Sequence, residues 1–296
     1  AVAWRAEGIM ERGVTEDLRW HERPAQGELL GQARAIEVPV PYESEIGLVA
    51  ICSYWHSLVG VDANGRPTTV VFLWADTRSR KYTSVLRKRF NEPDTHDRTG
   101  AHFHSSYWPA RLLWLRKEYP EAFDRTDRWL SFSDYVFVKL FGEPVTSVSM
   151  ASGTGIFDIH KCAWDNELAR FLKVKPARLP VISADDFSAE KLRAAYARRW
   201  PRLTNARWLL PVGDGAADNI GAGCSQKGTA ALMIGTSGAM RIAYTGEPPQ
   251  AIPDGLWCYR IDRNRVVLGG ALSDGGALFQ WLSSNLDVPS NAEDEM

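Results

Sequence analysis

Residues 47–74 read GLVAICSYWHSLVGVDANGRPTTVVFLW and contain two apolar runs separated by a turn. The first run, Gly47–Ser53, has no charged side chain, which is typical of a strand buried in a sheet. Turn residues follow at Asp62–Gly65, and Thr69–Trp74 is rich in the β-branched residues that favour a second strand. The stretch therefore predicts the start of a sheet, with Tyr54-Trp55-His56-Ser57 where its first strand ends.

Helical patterns follow these strands and predict an α/β protein. From Trp108 to Tyr119 apolar residues recur at helical spacing, and Ser105 or Ser106 is positioned to cap that helix. Other helices are predicted at Ser133–Phe141, Asp165–Lys173, Ser188–Arg199 and Asp274–Leu286, and in the less regular first 45 residues at Glu11–Arg19 and Gly27–Ala35. Short strands are predicted at Thr229–Gly235, Ala239–Tyr244, Leu256–Ile261 and Val266–Gly269. A domain junction is expected near residues 224–230.

Composition excludes several classes of protein. The 296 residues carry 35 Lys+Arg and 36 Asp+Glu, a balance that argues against a basic nucleic-acid-coating protein. The longest uncharged stretch, Ile46–Val61, is shorter than the roughly 20 apolar residues of a membrane-spanning helix. The four cysteines form no CxxC pair, and the pattern of a basic start, an apolar run and a small-residue site is not seen at the start, so no secretory signal is expected. We therefore expect a cytoplasmic protein without a nucleic-acid or membrane partner.

The segment Pro211–Gly221, PVGDGAADNIG, places Asp214 between two glycines. A carboxylate in this setting lies where the backbone approaches a ligand closely, which suits a general base. The alternative is an Asp-Gly turn in which the carboxylate bonds its own backbone. Asp218 is the second candidate for the role of base.

The segment Ile234–Ala239, IGTSGA, follows an apolar run. A small-residue turn after a strand exposes N–H groups and hydroxyls that can hold a phosphate, although an ordinary β-turn is the alternative. It is not a Walker loop, because no GxxxxGK[ST] pattern occurs. A serine hydrolase is disfavoured, because Ala239 replaces the last glycine of GxSxG and every histidine precedes Ser237.

Two further groups of polar residues are candidates for ligand binding. Asp76 and Arg78 follow the second predicted strand at a spacing that points both to one side of an extended chain, with a surface ion pair as the alternative. His56, His102 and His104 lack the spacing and acidic neighbour of a zinc site, so hydrogen bonding to a hydroxylated substrate is favoured. No residue is assigned to a metal.

The order of these segments is more specific than any one of them. In chain order they read SYWHSLVGVD, WADTRS, TGAHFHSSYWPARLLWLRKEYPEAF, FSDYVFVKLFGE, SMASGTGIFDIHKCAWD, PVGDGAADNIGAG and IGTSGAMR. This series resembles the FGGY family of carbohydrate kinases, and most resembles its gluconate-kinase-like branch, which includes gluconokinase-like and xylulokinase-like proteins. The resemblance covers about residues 46–286.

The resemblance implies an actin-like ATPase fold built from ribonuclease-H-like α/β domains. Residues 1–226 would form the sugar-binding N-terminal domain, with residues 1–45 atypical, and residues 227–296 the start of the nucleotide-binding domain. The family's opening D-x-G-T-S hairpin and its later Gly-Gly adenosine turn have no match here. The first domain is therefore expected to lack its opening hairpin and the second to be truncated.

The resemblance also implies a function. It implies transfer of the γ-phosphoryl group of ATP, with Mg²⁺, to a hydroxyl of a sugar or sugar acid, gluconate above all. By position it implies Asp214 as the general base, Gly235, Thr236 and Ser237 as phosphate-binding residues, and as substrate-facing residues Trp55, His56, Asp76, Arg78 and His104. Arg78 or Arg111 is the candidate for binding a sugar-acid carboxylate. A homodimer is the expected assembly, and the alternative function is a non-catalytic fragment or pseudokinase that retains sugar binding without a complete ATP site.

Overall fold

The structure is a computed structural model that describes residues 46–234, 238–272 and 275–286. The helices predicted at Glu11–Arg19 and Gly27–Ala35, and the phosphate-binding turn Gly235–Ser237, lie outside the described residues. Strands and helices are interspersed along the described chain, and three pairs of its short strands are parallel, which confirms the α/β class. Within these ranges no helix has the length and apolar character needed to cross a membrane.

The described elements are numbered in chain order. The helices α1–α10 span Thr83–Arg89, Glu92–Thr99, Trp108–Glu118, Pro120–Arg125, Phe132–Phe141, Val148–Ser152, Asn166–Leu172, Ala194–Arg199, Asp214–Gly221 and Gly276–Asn285. The strands β1–β15 span Leu48–Val49, Cys52–Ser53, Val59–Val61, Arg128–Leu130, Val145–Thr146, Phe157–Asp158, Ala163–Trp164, Val181–Ile182, Ser188–Ala189, Arg207–Leu209, Val212–Gly213, Ala231–Ile234, Gly238–Thr245, Trp257–Arg260 and Arg265–Leu272.

The first predicted strand forms as two short pieces, β1 and β2. β1 pairs in parallel with β10, and β2 pairs in parallel with β11. Leu48 remains 54% exposed, so the run is less buried than its apolar sequence predicts. Parallel strands present their carboxyl ends at the same edge of a sheet. The residues that follow β2, beginning at Tyr54, therefore come beside Asp214, which follows β11.

The prediction of a strand at Thr69–Trp74 is wrong. This segment makes only an isolated bridge between Phe72 and Leu58. The Gly60 N–H of β3 donates to the side-chain Oγ1 of Thr69 at 2.9 Å, and the Arg111 side chain donates to the Leu73 carbonyl. These two backbone groups are therefore bonded to side chains and not to a neighbouring strand. Tertiary contacts thus override the β propensity of the segment.

The helices predicted from periodicity form with small shifts of boundary. α5 carries a capping box between Ser131 and Asp134 and ends at Gly142, whose φ is 92°. α3 begins after Tyr107 with no side-chain cap, so the predicted capping by Ser105 or Ser106 is wrong. The predicted helix Ser188–Arg199 is helical only in α8, because its first residues form β9 and pair with β10.

The strands β12–β15 form an antiparallel sheet in the order β12-β13-β15-β14, which confirms the four strands predicted in this part of the chain. Tyr259 and Val267 of this sheet share a hydrophobic cluster with Trp55 and Met150. β14 also lies close to Gly100, which follows α2 and has a φ of 72°. A Cβ at Gly100 would lie 1.7 Å from the Cys258 carbonyl oxygen of β14. The sheet is therefore packed directly against the elements that carry Trp55.

Candidate functional site

Asp214 is the first residue of α9, and its side chain is exposed. Its Oδ1 accepts a hydrogen bond from the Gly215 N–H at 2.8 Å. Partial removal of water by the surrounding protein raises the pKa of this carboxyl; the Gly215 N–H and the Arg241 charge oppose that rise, and Asp218 adds to it. A carboxylate with a raised pKa accepts a proton more readily, which is the property of a general base.

The glycines beside Asp214 make room for the Trp55 indole. A Cβ at Gly213 would lie 1.9 Å from Trp55 Cε2, and a Cβ at Gly215 would lie 2.8 Å from Trp55 Cζ3. Trp55 is 4% exposed, and its Nε1 donates to the Ser149 carbonyl at 2.9 Å. The sequence predicts that these glycines let the backbone approach a ligand, whereas the structure shows that they leave room for Trp55 beside the carboxylate.

The segment Ser149–Asp158, which runs from within α6 to the end of β6, completes this support. Ser149 Oγ accepts from the Gly213 N–H at 3.0 Å, which fixes the residue immediately before Asp214. Gly153 also faces the Trp55 ring, because a Cβ there would lie 2.5 Å from Trp55 Cδ1. This segment therefore holds Trp55 and the end of β11 in position.

His56 follows Trp55 in a left-handed conformation with a φ of 67°. Its Nδ1 lies 2.5 Å from the Gly153 carbonyl oxygen, and the Tyr107 ring packs edge-on at 4.8 Å. Burial lowers the pKa of His56 to about 4, helped by neighbouring positive charge from Arg111 and opposed by the Gly153 bond. The ring is therefore neutral at pH 7, and because a carbonyl can only accept, the proton is on Nδ1 and Nε2 is an acceptor.

Asp76 and Arg78 are bonded to each other. Asp76 accepts from the Arg78 backbone N–H at 3.0 Å and from Arg78 Nη2 at 2.5 Å, so the chain turns here instead of remaining extended. Burial alone would raise the pKa of Asp76, but the hydrogen bonds and charge of Arg78 hold it below its usual value. The Arg78 guanidinium also lies over the Phe72 and Trp114 rings at 5.3 and 5.2 Å.

His104 is exposed and lies in the loop before α3. The Ser106 N–H donates to His104 Nδ1 at 3.2 Å, and the Ser106 hydroxyl donates to the Trp74 carbonyl at 2.7 Å. Burial, together with the charges of nearby arginines, lowers the pKa of His104. These bonds connect the loop that carries His104 to the segment that leads into Asp76.

Arg111 connects three loops that carry predicted site residues. Its side chain is fully covered, with only 1% of the residue exposed. Nε donates to the Ser105 carbonyl at 3.0 Å, Nη1 to the His56 carbonyl and Nη2 to the Leu73 carbonyl. Burial lowers the pKa of Arg111 to about 10. Because each guanidinium nitrogen already donates to the protein, the geometry makes Arg111 a positioning residue and gives no support to its binding a substrate carboxylate.

Replacing Arg111 with methionine is expected to lower the free energy of unfolding by about 2–3 kcal/mol, because it leaves buried carbonyls without donors. Arg116→Met is the matched control on the same helix, because Arg116 is less buried and donates to the Phe171 carbonyl at 2.6 Å; its expected cost is about 1 kcal/mol. Urea unfolding of both variants measures the difference. Equal losses would show that Arg111 does not hold the three loops together.

The described residues contain no group of three or more His, Cys, Asp or Glu side chains that could hold a metal ion. His102 does not join His56 or His104 but stacks on His96 with ring centroids 3.7 Å apart. Mg²⁺ often binds through one or two carboxylates plus substrate phosphates, and a site of that kind needs fewer than three protein side chains.

Arg241 lies beside the candidate site and is not among the residues predicted from the sequence. It lies in β13, and its Nε would be 3.0 Å from a Cβ at Gly215. Asn219 Nδ2 of α9 donates to the Arg241 carbonyl at 3.2 Å. The available signal was the arginine that ends the quoted segment IGTSGAMR, but its position beside Asp214 depends on how β13 packs against α9.

Comparison with known proteins gives this geometry a family. The sequence model described as "FGGY family of carbohydrate kinases, N-terminal domain" matches residues 32–220, which is more than half of the chain. The chain belongs to the FGGY family of carbohydrate kinases. It is similar to the gluconokinase of Bacillus subtilis (strain 168), with 27% identity over 241 residues that cover 81% of this chain and 47% of the relative.

Solved structures of FGGY kinases agree with the fold. A gluconate kinase from Lactobacillus acidophilus matches with a TM-score of 0.78 and 28% identity, covering 84% of this chain and 50% of the other. A ligand-bound xylulose kinase from the same species matches with a TM-score of 0.77 and 28% identity, covering 82% and 49%. The predicted resemblance and the actin-like ATPase fold are thus confirmed. The chain spans about half the length of the curated relatives it matches.

Proposed function

We propose that this chain carries the sugar site of an ATP-dependent carbohydrate kinase that phosphorylates a hydroxyl of a sugar acid, with gluconate as substrate and Asp214 as general base. The observation that supports this most directly is the exposed Asp214 carboxyl, whose pKa is raised and whose support by Gly213, Trp55 and Ser149 is rigid. Asp214 would take the proton of the attacking hydroxyl, because that proton must leave as the oxygen bonds to phosphorus.

The remaining site residues would orient the sugar. Neutral His56 offers Nε2 as an acceptor for a hydroxyl proton, and exposed His104 provides a second polar ring. Arg78 is 39% exposed in its side chain and pre-oriented by Asp76, so it is the candidate for the sugar-acid carboxylate. Trp55 lies beneath the carboxylate and would act by positioning Asp214. ATP supplies the phosphoryl group in this scheme, and Mg²⁺ would offset phosphate charge.

Several expectations belong to the same proposal. The sequence assigns phosphate binding to Gly235, Thr236 and Ser237. The division into domains at residues 1–226 and 227–296 is likewise a prediction from the sequence. The cytoplasmic location, the absence of nucleic-acid partners and the homodimer also remain predictions. Similarity to a gluconokinase and a gluconate kinase supports gluconate as the first substrate to test.

The test is ADP release by the purified chain with ATP, Mg²⁺ and a panel of gluconate, xylulose and glycerol. We expect gluconate to be phosphorylated with a kcat/KM at least about tenfold above the other two, since a hydrogen bond to a charged group such as its carboxylate is worth about this much or more. A preference for xylulose or glycerol would contradict the substrate assignment. Calorimetric binding of gluconate without ATP turnover would favour the alternative, a sugar-binding chain without kinase activity.

A further inference from the structure

We propose that Arg241 is the residue that receives the phosphoryl group as it arrives on the substrate hydroxyl. This inference rests on the proposed function and adds to it a phosphate-binding residue outside the Gly235–Ser237 turn. Three observations support it: the unsatisfied guanidinium of Arg241, its position beside Asp214, and the packing that fixes its stem.

The Arg241 guanidinium is enclosed but not satisfied. The side chain is 12% exposed, and Nε and Nη1 are buried without a hydrogen-bond partner among the described residues. Nη1 forms a long ion pair with Asp218, whose Oδ2 lies 3.6 Å away and whose side chain is 53% exposed. That distance is beyond hydrogen-bond length. Buried donors of a charged group are costly when left unpaired, so these two nitrogens are suited to an anionic ligand.

The guanidinium lies beside the carboxyl that would take the proton. Arg241 Nε and Cζ would be 3.0 and 3.3 Å from a Cβ at Gly215, and the Gly215 N–H holds Asp214 Oδ1. The positive charge of Arg241 is also among the influences that lower the pKa of Asp214. An incoming phosphoryl group bonds to the same oxygen that loses its proton to Asp214, so this group must come close to Asp214. Because Arg241 lies beside the next residue, Gly215, the phosphoryl group then also comes close to Arg241.

The stem of Arg241 is held from a second side. Gly269 is its partner in the β13–β15 ladder, and a Cβ there would lie 3.0 Å from Arg241 Cγ. Glycine at positions 215 and 269 therefore leaves a channel that the arginine side chain occupies. A side chain held in this way loses little further conformational entropy when it binds a ligand.

The chemical step balances with a nucleoside triphosphate as the phosphoryl donor. The substrate hydroxyl oxygen bonds to the γ-phosphorus while the bond from that phosphorus to the leaving diphosphate oxygen breaks, and the hydroxyl proton goes to Asp214. Negative charge on the non-bridging phosphoryl oxygens is then stabilised by the Arg241 guanidinium, whose planar fork matches phosphate geometry.

Calorimetry on the purified chain separates this role from binding of the sugar itself. The probes are gluconate and its phosphate ester, 6-phosphogluconate. Arg241→Gln should leave the Kd for gluconate within about twofold and weaken 6-phosphogluconate about 10- to 100-fold, as expected for loss of a charged hydrogen bond. Arg241→Lys keeps the charge but not the forked guanidinium, so its affinity for 6-phosphogluconate should lie between those of the wild type and Arg241→Gln. Arg265→Gln is the control, because Arg265 lies in the same sheet and pairs with Asp262 at 2.6 Å.

Two results would overturn the inference without reference to turnover. One is a wild-type chain that binds 6-phosphogluconate no more tightly than gluconate, and the other is an Arg241→Gln variant that weakens both ligands equally. If wild-type turnover is absent, the proposed kinase function fails while this binding comparison still decides the role of Arg241.

Kinetics add a readout that a structural role would not move. Arg241→Gln should lower kcat on every sugar that is turned over and shift the acid limb of kcat/KM to higher pH, because a positive charge that lowers the pKa of Asp214 is removed. A loss confined to sugar acids, with neutral sugars unaffected, would instead identify Arg241 as the carboxylate receptor and overturn the inference.

Discussion

Asp214→Asn is expected to lower kcat about 10²- to 10⁴-fold, the usual contribution of a general base, with little change in gluconate affinity. The amide keeps the shape of the side chain and an oxygen that accepts the Gly215 N–H, so the end of β11 should be undisturbed. It cannot take a proton at neutral pH, and that is the property the variant tests. Steady-state kinetics give kcat, and calorimetry gives the Kd for gluconate.

Asp218→Asn is the matched control for this prediction. Asp218 lies on the same helix and is more than half exposed, and we expect its removal to change kcat less than about threefold at neutral pH, as for a surface carboxylate that takes no part in proton transfer. Unchanged kcat in Asp214→Asn, or a larger loss in Asp218→Asn, would remove Asp214 from the role of base.

The pH profile gives an independent check on the same assignment. A base works in its deprotonated form, so kcat/KM should rise with pH through the raised pKa of Asp214 and then level off. The charge of Asp218 contributes to that raised pKa. Asp218→Asn should therefore move the acid limb to lower pH, which is opposite in sign to the shift expected for Arg241→Gln. Shifts of the same sign in both variants would mean that another group controls the limb.

Local signals in the sequence were sufficient for many elements. α5 forms within one residue of its predicted bounds because its signals are local. Its apolar spacing lies within the helix, Ser131 provides a capping box at its start, and Gly142 ends it. The long strands β13 and β15 were predicted too short, because their ends are stabilised by pairing with each other across the ladder. Asp214 was singled out by its setting between two glycines.

Other features could not be predicted because they depend on residues distant in the chain. The segment Thr69–Trp74 has a strand-like composition, yet the Thr69 hydroxyl accepts from the Gly60 N–H, and the Leu73 carbonyl accepts from Arg111. The glycines around Asp214 are explained by Trp55, which is more than 150 residues earlier. Arg241 reaches α9 through the register of the sheet, which no local pattern contains.

Gly213→Ala is expected to disrupt the site through Trp55. The backbone at Gly213, with φ −68° and ψ 145°, is one that alanine adopts freely, so the whole effect comes from the Cβ, which would lie 1.9 Å from the indole. Moving the ring or β11 should lower the free energy of unfolding by about 1–3 kcal/mol and kcat by about 10²-fold, because Asp214 is the next residue. Urea unfolding and steady-state kinetics measure the two effects.

Gly221→Ala is the control at the other end of α9, where a Cβ would meet nothing within 4 Å. Alanine is the better helix former, so this variant should be as stable as the wild type or slightly more stable. Wild-type stability and kcat in Gly213→Ala as well would show that Trp55 does not occupy the position described.

A double variant separates the steric conflict from any other consequence of the added methyl group. Alanine at position 55 lacks the whole indole, including Cε2, Nε1 and Cζ2, the three atoms that the Cβ at Gly213 would approach most closely. Trp55→Ala alone should be destabilising, since it forms a cavity and removes the hydrogen bond to Ser149. Combined with Gly213→Ala it should cost less than the sum of the two single changes, because the methyl group enters the space that the indole leaves. Strict additivity would mean that Gly213 does not act through Trp55.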